Sequence, residues 1–190
     1  IEVFMVKVSF DQKPYRKLMM QTFGSTCHPS PSDLTDFGKK LLADDPNNPG
    51  SLGIAISEAI EAVVKSGGKA KYSLGSVLGH VLMHQTINGN EAILQMEQAG
   101  DYPDIIVGCT GGGSNLAGLM FPFLGQQLRG GKKIDIIGCE PLSCPSFTKG
   151  VYAYDHGDMS IMTPLNKIHT LGSDFLNPAK HSGGIRYDRS

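Results

Sequence analysis

The sequence predicts an α/β fold built on parallel strands, and two observations carry that prediction. The apolar run Ile105-Ile106-Val107 is followed by Gly111-Gly112-Gly113-Ser114-Asn115, then a helical stretch to Leu128, then a second strand-like run over 133–140. That order is a βαβ unit, whose strands pair in parallel through a right-handed crossover. Upstream, short apolar runs alternate with amphipathic helical segments, the pattern of helices layered on a sheet. With 190 residues, 40% of them hydrophobic, the chain has material for one medium domain or two small lobes.

Taken in order, Val3 to Val8 reads as the first strand, and Asp11-Gln12-Lys13-Pro14 as a helix entry with Pro14 in the first helical position and Gly24 closing it. Tyr15, Leu18, Met19 and Thr22 share one face of that helix. Residues 25–29 are short and extended. Ser32 or Asp33 is the expected cap of the next helix, whose apolar face is Leu34, Phe37 and Leu41. The two prolines of residues 44–50 mark a solvated loop. Ser51 then caps a helix with Leu52, Ile56, Ile60 and Val63 on its apolar stripe and Ser57, Glu58, Glu61 and Lys65 away from it; Gly67-Gly68 ends it. Lys69 to Leu74 reads as a brief strand, Gly75-Ser76 as the opening of a helix that Gly89 breaks, and Asn90 as the start of another that ends at Gly100. After Glu140 periodicity is weak; 170–174 and His181-Ser182-Gly183-Gly184 read as loops.

Net charge is −1, from 17 basic and 18 acidic residues, which leaves no electrostatic footprint for nucleic acid or an anionic membrane and favours small neutral or zwitterionic partners. Cys27, Cys109, Cys139 and Cys144 form no C-x-x-C pair and have no histidine at zinc-finger spacing, so they read as reduced, cytosolic thiols. His80 and His84 share a helical face but lack a third ligand, so no metal is assigned. No apolar run reaches the roughly 18 residues of a membrane span, and nothing resembles a signal peptide. The chain opens with Ile1 inside a strand-like segment, which reads as a piece of a longer protein.

Chemistry concentrates in the glycine turn. Three successive glycines remove every Cβ, so backbone N–H groups can approach a ligand and adopt positive φ. The following helix adds orphan amides and the positive end of its dipole, and the Ser114 hydroxyl is a further donor. A phosphate suits that arrangement; tight strand–helix packing is the plain alternative. Two other phosphate loops are excluded, since no lysine follows the last glycine and Leu116 stands where G-x-G-x-x-G requires its final glycine. Glu140 ends the next strand, at the carboxyl edge where ligands of parallel sheets gather. It is either a ribose partner in a nucleotide-binding reading or a surface carboxylate. An interaction module with a vestigial loop is the competing reading of a different class.

Six segments together resemble one family: Lys13-Pro14-Tyr15-Arg16, Pro29 through Thr35, Ser51 through Ala59, Gly75-Ser76-Val77-Leu78, His84-Gln85-Thr86-Ile87 and Gly111 through Asn115. They are similar to the tryptophan synthase beta chains, and most closely to the second, beta-like type, over nearly all 190 positions. The resemblance implies the three-layer αβα, parallel-sheet fold of the fold-type II pyridoxal-phosphate enzymes, incomplete here. Residues 1–101 would belong to the first, smaller lobe and 102–190 to the lobe that binds the cofactor phosphate. It implies a lyase that replaces the hydroxyl of L-serine with indole to give L-tryptophan, with pyridoxal 5'-phosphate as electron sink; another fold-type II lyase or synthase is the alternative. Gly111, Gly112, Gly113, Ser114 and Asn115 match the family's phosphate loop, Gly75 and Ser76 a segment near the cofactor, and Glu140 joins them as a cofactor-edge candidate. The implied partners are serine, indole and a second copy of the chain, with an alpha subunit as a further candidate. The family's Schiff-base lysine has no counterpart among Lys7, Lys13, Lys17, Lys39, Lys40, Lys65, Lys69, Lys71, Lys132, Lys133, Lys149, Lys167 and Lys180, and the partner of the pyridine nitrogen is expected beyond Ser190. The chain is thus expected to hold a phosphate cradle without a catalytic residue and to be inactive alone. Gly79 stands where the family pattern has Asn, and Asp188-Arg189-Ser190 leaves that pattern.

Overall fold

The computed structural model describes residues 1–178 and Tyr187. The loop expected at 181–184, Lys180 and the tail at 188–190 lie outside the described residues. Strand β1 (Glu2–Val6) pairs in parallel with β2 (Thr26–Ser30), from Glu2↔Thr26 to Val6↔Ser30, through helices α1 (Lys7–Gln12) and α2 (Pro14–Thr22). Pro14 begins α2, and Gly24 follows it at φ +80°. The first strand is shorter than its apolar run predicts. Its continuation coils into α1, and the Val8 amide donates to Pro49 O at 3.0 Å.

Helix α3 (Asp36–Asp44) is capped by Thr35, whose Oγ1 accepts from Gly38 N, and not by Ser32 or Asp33. Ser32 Oγ instead accepts from Leu34 N at 3.3 Å, ahead of the helix, while its proton goes to Glu58, 2.6 Å away. Helix α4 (Leu52–Lys65) has its expected cap, with Ser51 Oγ accepting from Ile54 N at 3.2 Å. Its polar side departs from the amphipathic expectation, since Ser57, Glu58 and Glu61 are buried along with Ile54, Ala55 and Ile56. Residues 69–74 form no strand, and α5 (Gly79–Ala99) runs unbroken through Gly89. A Cβ at Gly89 would stand 2.4 Å from the Leu119 carbonyl oxygen. That glycine is therefore a point of close helix contact rather than a break.

Strand β3 (Ile105–Cys109), helix α6 (Ser114–Leu128) and strand β4 (Asp135–Cys139) make the predicted βαβ unit, paired in parallel from Ile105↔Asp135 to Cys109↔Cys139. Its core is Ile93, Ile106, Phe123 and Ile134, flanked by Tyr102, Leu119 and Met120. The Tyr102 and Phe123 rings meet edge to face at 5.7 Å, and Tyr102 Oη donates to Gln126. Strands β5 (Val151–His156) and β6 (Leu165–Thr170) form an antiparallel hairpin that weak periodicity had concealed. The two parallel pairs bear out the α/β class.

Candidate functional site

The glycine turn is placed by helix packing. A Cβ at Gly118 of α6 would lie 2.5 Å from Gln85 Cβ of α5, and one at Gly89 would strike Leu119 and Pro122 of α6. Only glycines allow that approach, and the two helices run side by side with their N-termini together. The segment before α5 thereby reaches the turn. Ser114 N donates to Ser76 O at 3.1 Å, and a Cβ at Gly112 would stand 2.4 Å from both Ser76 Oγ and Val77 Cγ1. Two further bonds fix the turn's base: Thr110 N donates to Cys139 O at 2.7 Å, and Asn115 Nδ2 to Cys109 O at 3.1 Å.

Gly113, the residue before α6, has φ +103°, and neither it nor Leu78 before α5 offers a side-chain cap. The orphan amides of both first turns therefore converge on one corner at the carboxyl end of β3. The corner has an open side, because a Cβ at Gly75 or Gly113 would meet no atom within 4 Å.

Residues 2–178 match the model of a family described as pyridoxal-phosphate dependent enzyme. The chain belongs to this family. It is 57% identical over 187 residues to tryptophan synthase beta chain 2 of Aeropyrum pernix, covering 98% of this chain and 42% of that protein. It is 56% identical over 190 residues to tryptophan synthase beta chain 2 of Thermotoga maritima, covering all of this chain and 44% of that one. The tryptophan synthase beta chain of Pseudothermotoga lettingae is 55% identical over 187 residues, or 44% of its length. The chain thus spans less than half the length of these curated relatives.

The turn fits the phosphate of the family's cofactor. It has no Cβ on its open side, a glycine in the left-handed region and two uncapped helix starts beside it. The structure brings Gly75, Ser76 and Gly112 to Ser114 together. Asn115 is held to the base of the turn by its side-chain amide. Glu140, one residue past β4, accepts from the amides of Phe147 and Thr148, both at 2.9 Å, and from the Thr148 hydroxyl.

Sequence reasoning missed a second polar system, centred on α4. Glu58 is fully buried and accepts from Ser32 N (3.0 Å), Ser32 Oγ (2.6 Å), Thr35 Oγ1 (2.7 Å) and Ser30 Oγ. Glu61 takes the Asp36 and Phe37 amides and Lys65. Burial pushes the Glu61 carboxyl up, but Lys65 and those amides outweigh it and hold it below the ordinary value. One turn away, Ser57 Oγ lies 3.2 Å from Asp158 and accepts from Ser160 N. Asp158 is fully buried and also accepts from Ser160 Oγ, Met162 N, and Thr163 N and Oγ1. Burial raises its carboxyl, and those donors bring it below the usual range. Tyr72 lies close enough for that charge, after burial, to help push its phenol up to about 12. The adjacent pair Ser57-Glu58 inside an apolar helix was the available signal.

Proposed function

We propose that these residues form the cofactor-phosphate portion of a tryptophan synthase beta-type enzyme, which replaces the hydroxyl of L-serine with indole to give L-tryptophan. The observation that carries the proposal is the convergence of the α5 and α6 N-termini, fixed by the Ser114–Ser76 bond, on an open turn of three glycines. The names of the relatives support the reaction. Backbone amides of Gly111, Gly112 and Gly113 would hold the phosphate, with Gly75 and Ser76 as its wall. Asn115 closes the turn, and Glu140 fixes the neighbouring loop at the same strand end. Pyridoxal phosphate supplies the electron sink when bound. The chain's own contribution is to seat the phosphate and hold the loops around it in place.

We further propose two lobes, 1–101 and 102–190, joined in part by the Ser57–Asp158 contact. The complete enzyme would act in the cytoplasm as a homodimer, with an alpha subunit as a second partner. The cofactor-anchoring lysine would lie outside these 190 residues. Several lysines seen here are engaged elsewhere: Lys65 with Asp36 and Glu61, Lys132 with Asp104, and Lys17 and Lys167 over the rings of Phe10 and Tyr152. Incubating the 190-residue polypeptide with pyridoxal phosphate, L-serine and indole tests this. No tryptophan is expected, and measurable turnover would overturn it. No helix among the described residues is long and apolar enough to cross a membrane.

A further inference from the structure

Glu140 is the first residue past β4, and both its carboxylate oxygens are engaged within the chain. One accepts from Phe147 N at 2.9 Å, the other from Thr148 N at 2.9 Å and from the Thr148 hydroxyl. These bonds fold the loop after β4 back onto the strand end. Phe147 then lays its ring against His169 of β6, with centroids 5.2 Å apart, and His169 meets Tyr152 of β5 at 4.9 Å. At the far end of the loop, a Cβ at Gly150 would stand 2.8 Å from the carbonyl oxygen of Thr170, the last residue of β6. Glu140 thus ties the end of β4 to the β5–β6 hairpin.

The same strand end holds the glycine turn. Cys139, the last residue of β4, accepts from Thr110 N at 2.7 Å, and a Cβ at Gly138 would lie 2.9 Å from Thr110 Oγ1. Cys109↔Cys139 is the final register pair of the two strands, and strand ends open readily unless something ties them. We propose that Glu140 is a positioning residue for the phosphate turn. By binding the amides of residues 147 and 148 it fixes the direction of the Cys139 carbonyl, and through it Thr110 and the glycine amides that follow. Hydrogen bonds to a carboxylate are the strong kind, and a binding constellation keeps its geometry only where the residues behind it are held. Both oxygens face the loop, so Glu140 acts through Cys139 and not by touching the ligand.

The sign of the effect separates this role from that of a bare charge. A carboxylate near an anion site repels the anion, so removing it should tighten phosphate binding if charge alone mattered. If position matters, removing it weakens phosphate binding. That consequence rests on the function proposed above; the tie between Glu140 and the turn does not.

Two measurements on the complete protein test the proposal. In the absence of cofactor, the Thr110 amide of Glu140→Ala is expected to exchange its hydrogen at least about ten-fold faster than in the parent, while that of Phe123 inside α6 keeps the parent's rate. An unchanged rate at Thr110, or an equal rise at Phe123, would overturn the proposal. In a parent that prefers pyridoxal phosphate to pyridoxal, the variant's affinity for the phosphorylated form is expected to fall at least about ten-fold, with pyridoxal affinity retained. Unchanged or tighter binding of pyridoxal phosphate, or an equal loss for both forms, would overturn it. Glu140→Gln keeps the side chain's shape but offers one oxygen and turns an N–H group toward the second amide. It is expected to fall between the parent and Glu140→Ala, and it carries the test if the alanine variant does not fold; a glutamine variant that matches the parent in both measurements would overturn the proposal. If exchange at Thr110 accelerates but the parent does not distinguish pyridoxal phosphate from pyridoxal, the Glu140 tie stands and the phosphate assignment of the turn is contradicted.

Discussion

Gly112 concentrates the residue-scale argument, because its missing side chain is what lets residues 76 and 77 reach the turn. Gly112→Ala puts a Cβ 2.4 Å from Ser76 Oγ and 2.9 Å from the Ser76 backbone carbon. Backbone cannot yield as a side-chain tip can, so a loss of about 1–3 kcal/mol is expected, together with weaker cofactor binding. A thermal melt and a cofactor titration measure the two effects. Glu58 makes the complementary case. Glu58→Ala leaves the hydroxyls of Ser30, Ser32 and Thr35 and one buried amide without their acceptor, and at least about 2 kcal/mol should be lost in denaturant unfolding. A near-neutral result would show that those donors find other partners. Sequence reading located the glycine turn because consecutive glycines have few other uses. It missed Glu58 because a carboxylate at helical spacing looks like a solvated face until its four donors, all from residues 30–35, are seen around it.

At the scale of elements, α4 is held on two sides by carboxylates whose pKa values are lowered. A depressed carboxylate contributes stability that is present above its unfolded pKa and lost as pH falls through the folded one. The ordinary values are 3.8 for Asp158 and 4.5 for Glu61. The urea midpoint should therefore decline once pH falls below that range, as both carboxyls take up protons. Asp158→Asn should make the acid decline shallower; a decline as steep as the parent's would remove Asp158 from the account. The βαβ unit was legible because strand, glycine turn and helix each have a strong local signature. Helix α5 was not, since a mid-helix glycine signals a break unless another helix fills the space beside it. The β5–β6 hairpin escaped for a related reason. Its strands carry no clean apolar alternation, and Tyr152, Tyr154 and Leu165 are all exposed.

At the scale of the whole molecule, both parallel sheets among the described residues are two-stranded and leave large apolar side chains in the open. Ile105 and Val107 are more than half exposed on β3, as are Leu18 and Met19 on α2. Sheets of that size need cover to be independently stable. The isolated polypeptide should therefore self-associate, and light scattering that shows a concentration-independent monomer would contradict this. The relatives, more than twice as long, supply sequence enough to cover such faces. We propose that the turn of Gly111 to Ser114 holds the cofactor phosphate. The most direct test compares pyridoxal phosphate with pyridoxal in the complete enzyme, for the parent and for Gly112→Ala. Two charge-assisted bonds to backbone amides predict a preference for the phosphorylated form of at least about 100-fold, which should collapse in the variant. Equal affinities in the parent, or an unchanged preference in Gly112→Ala, would contradict the account.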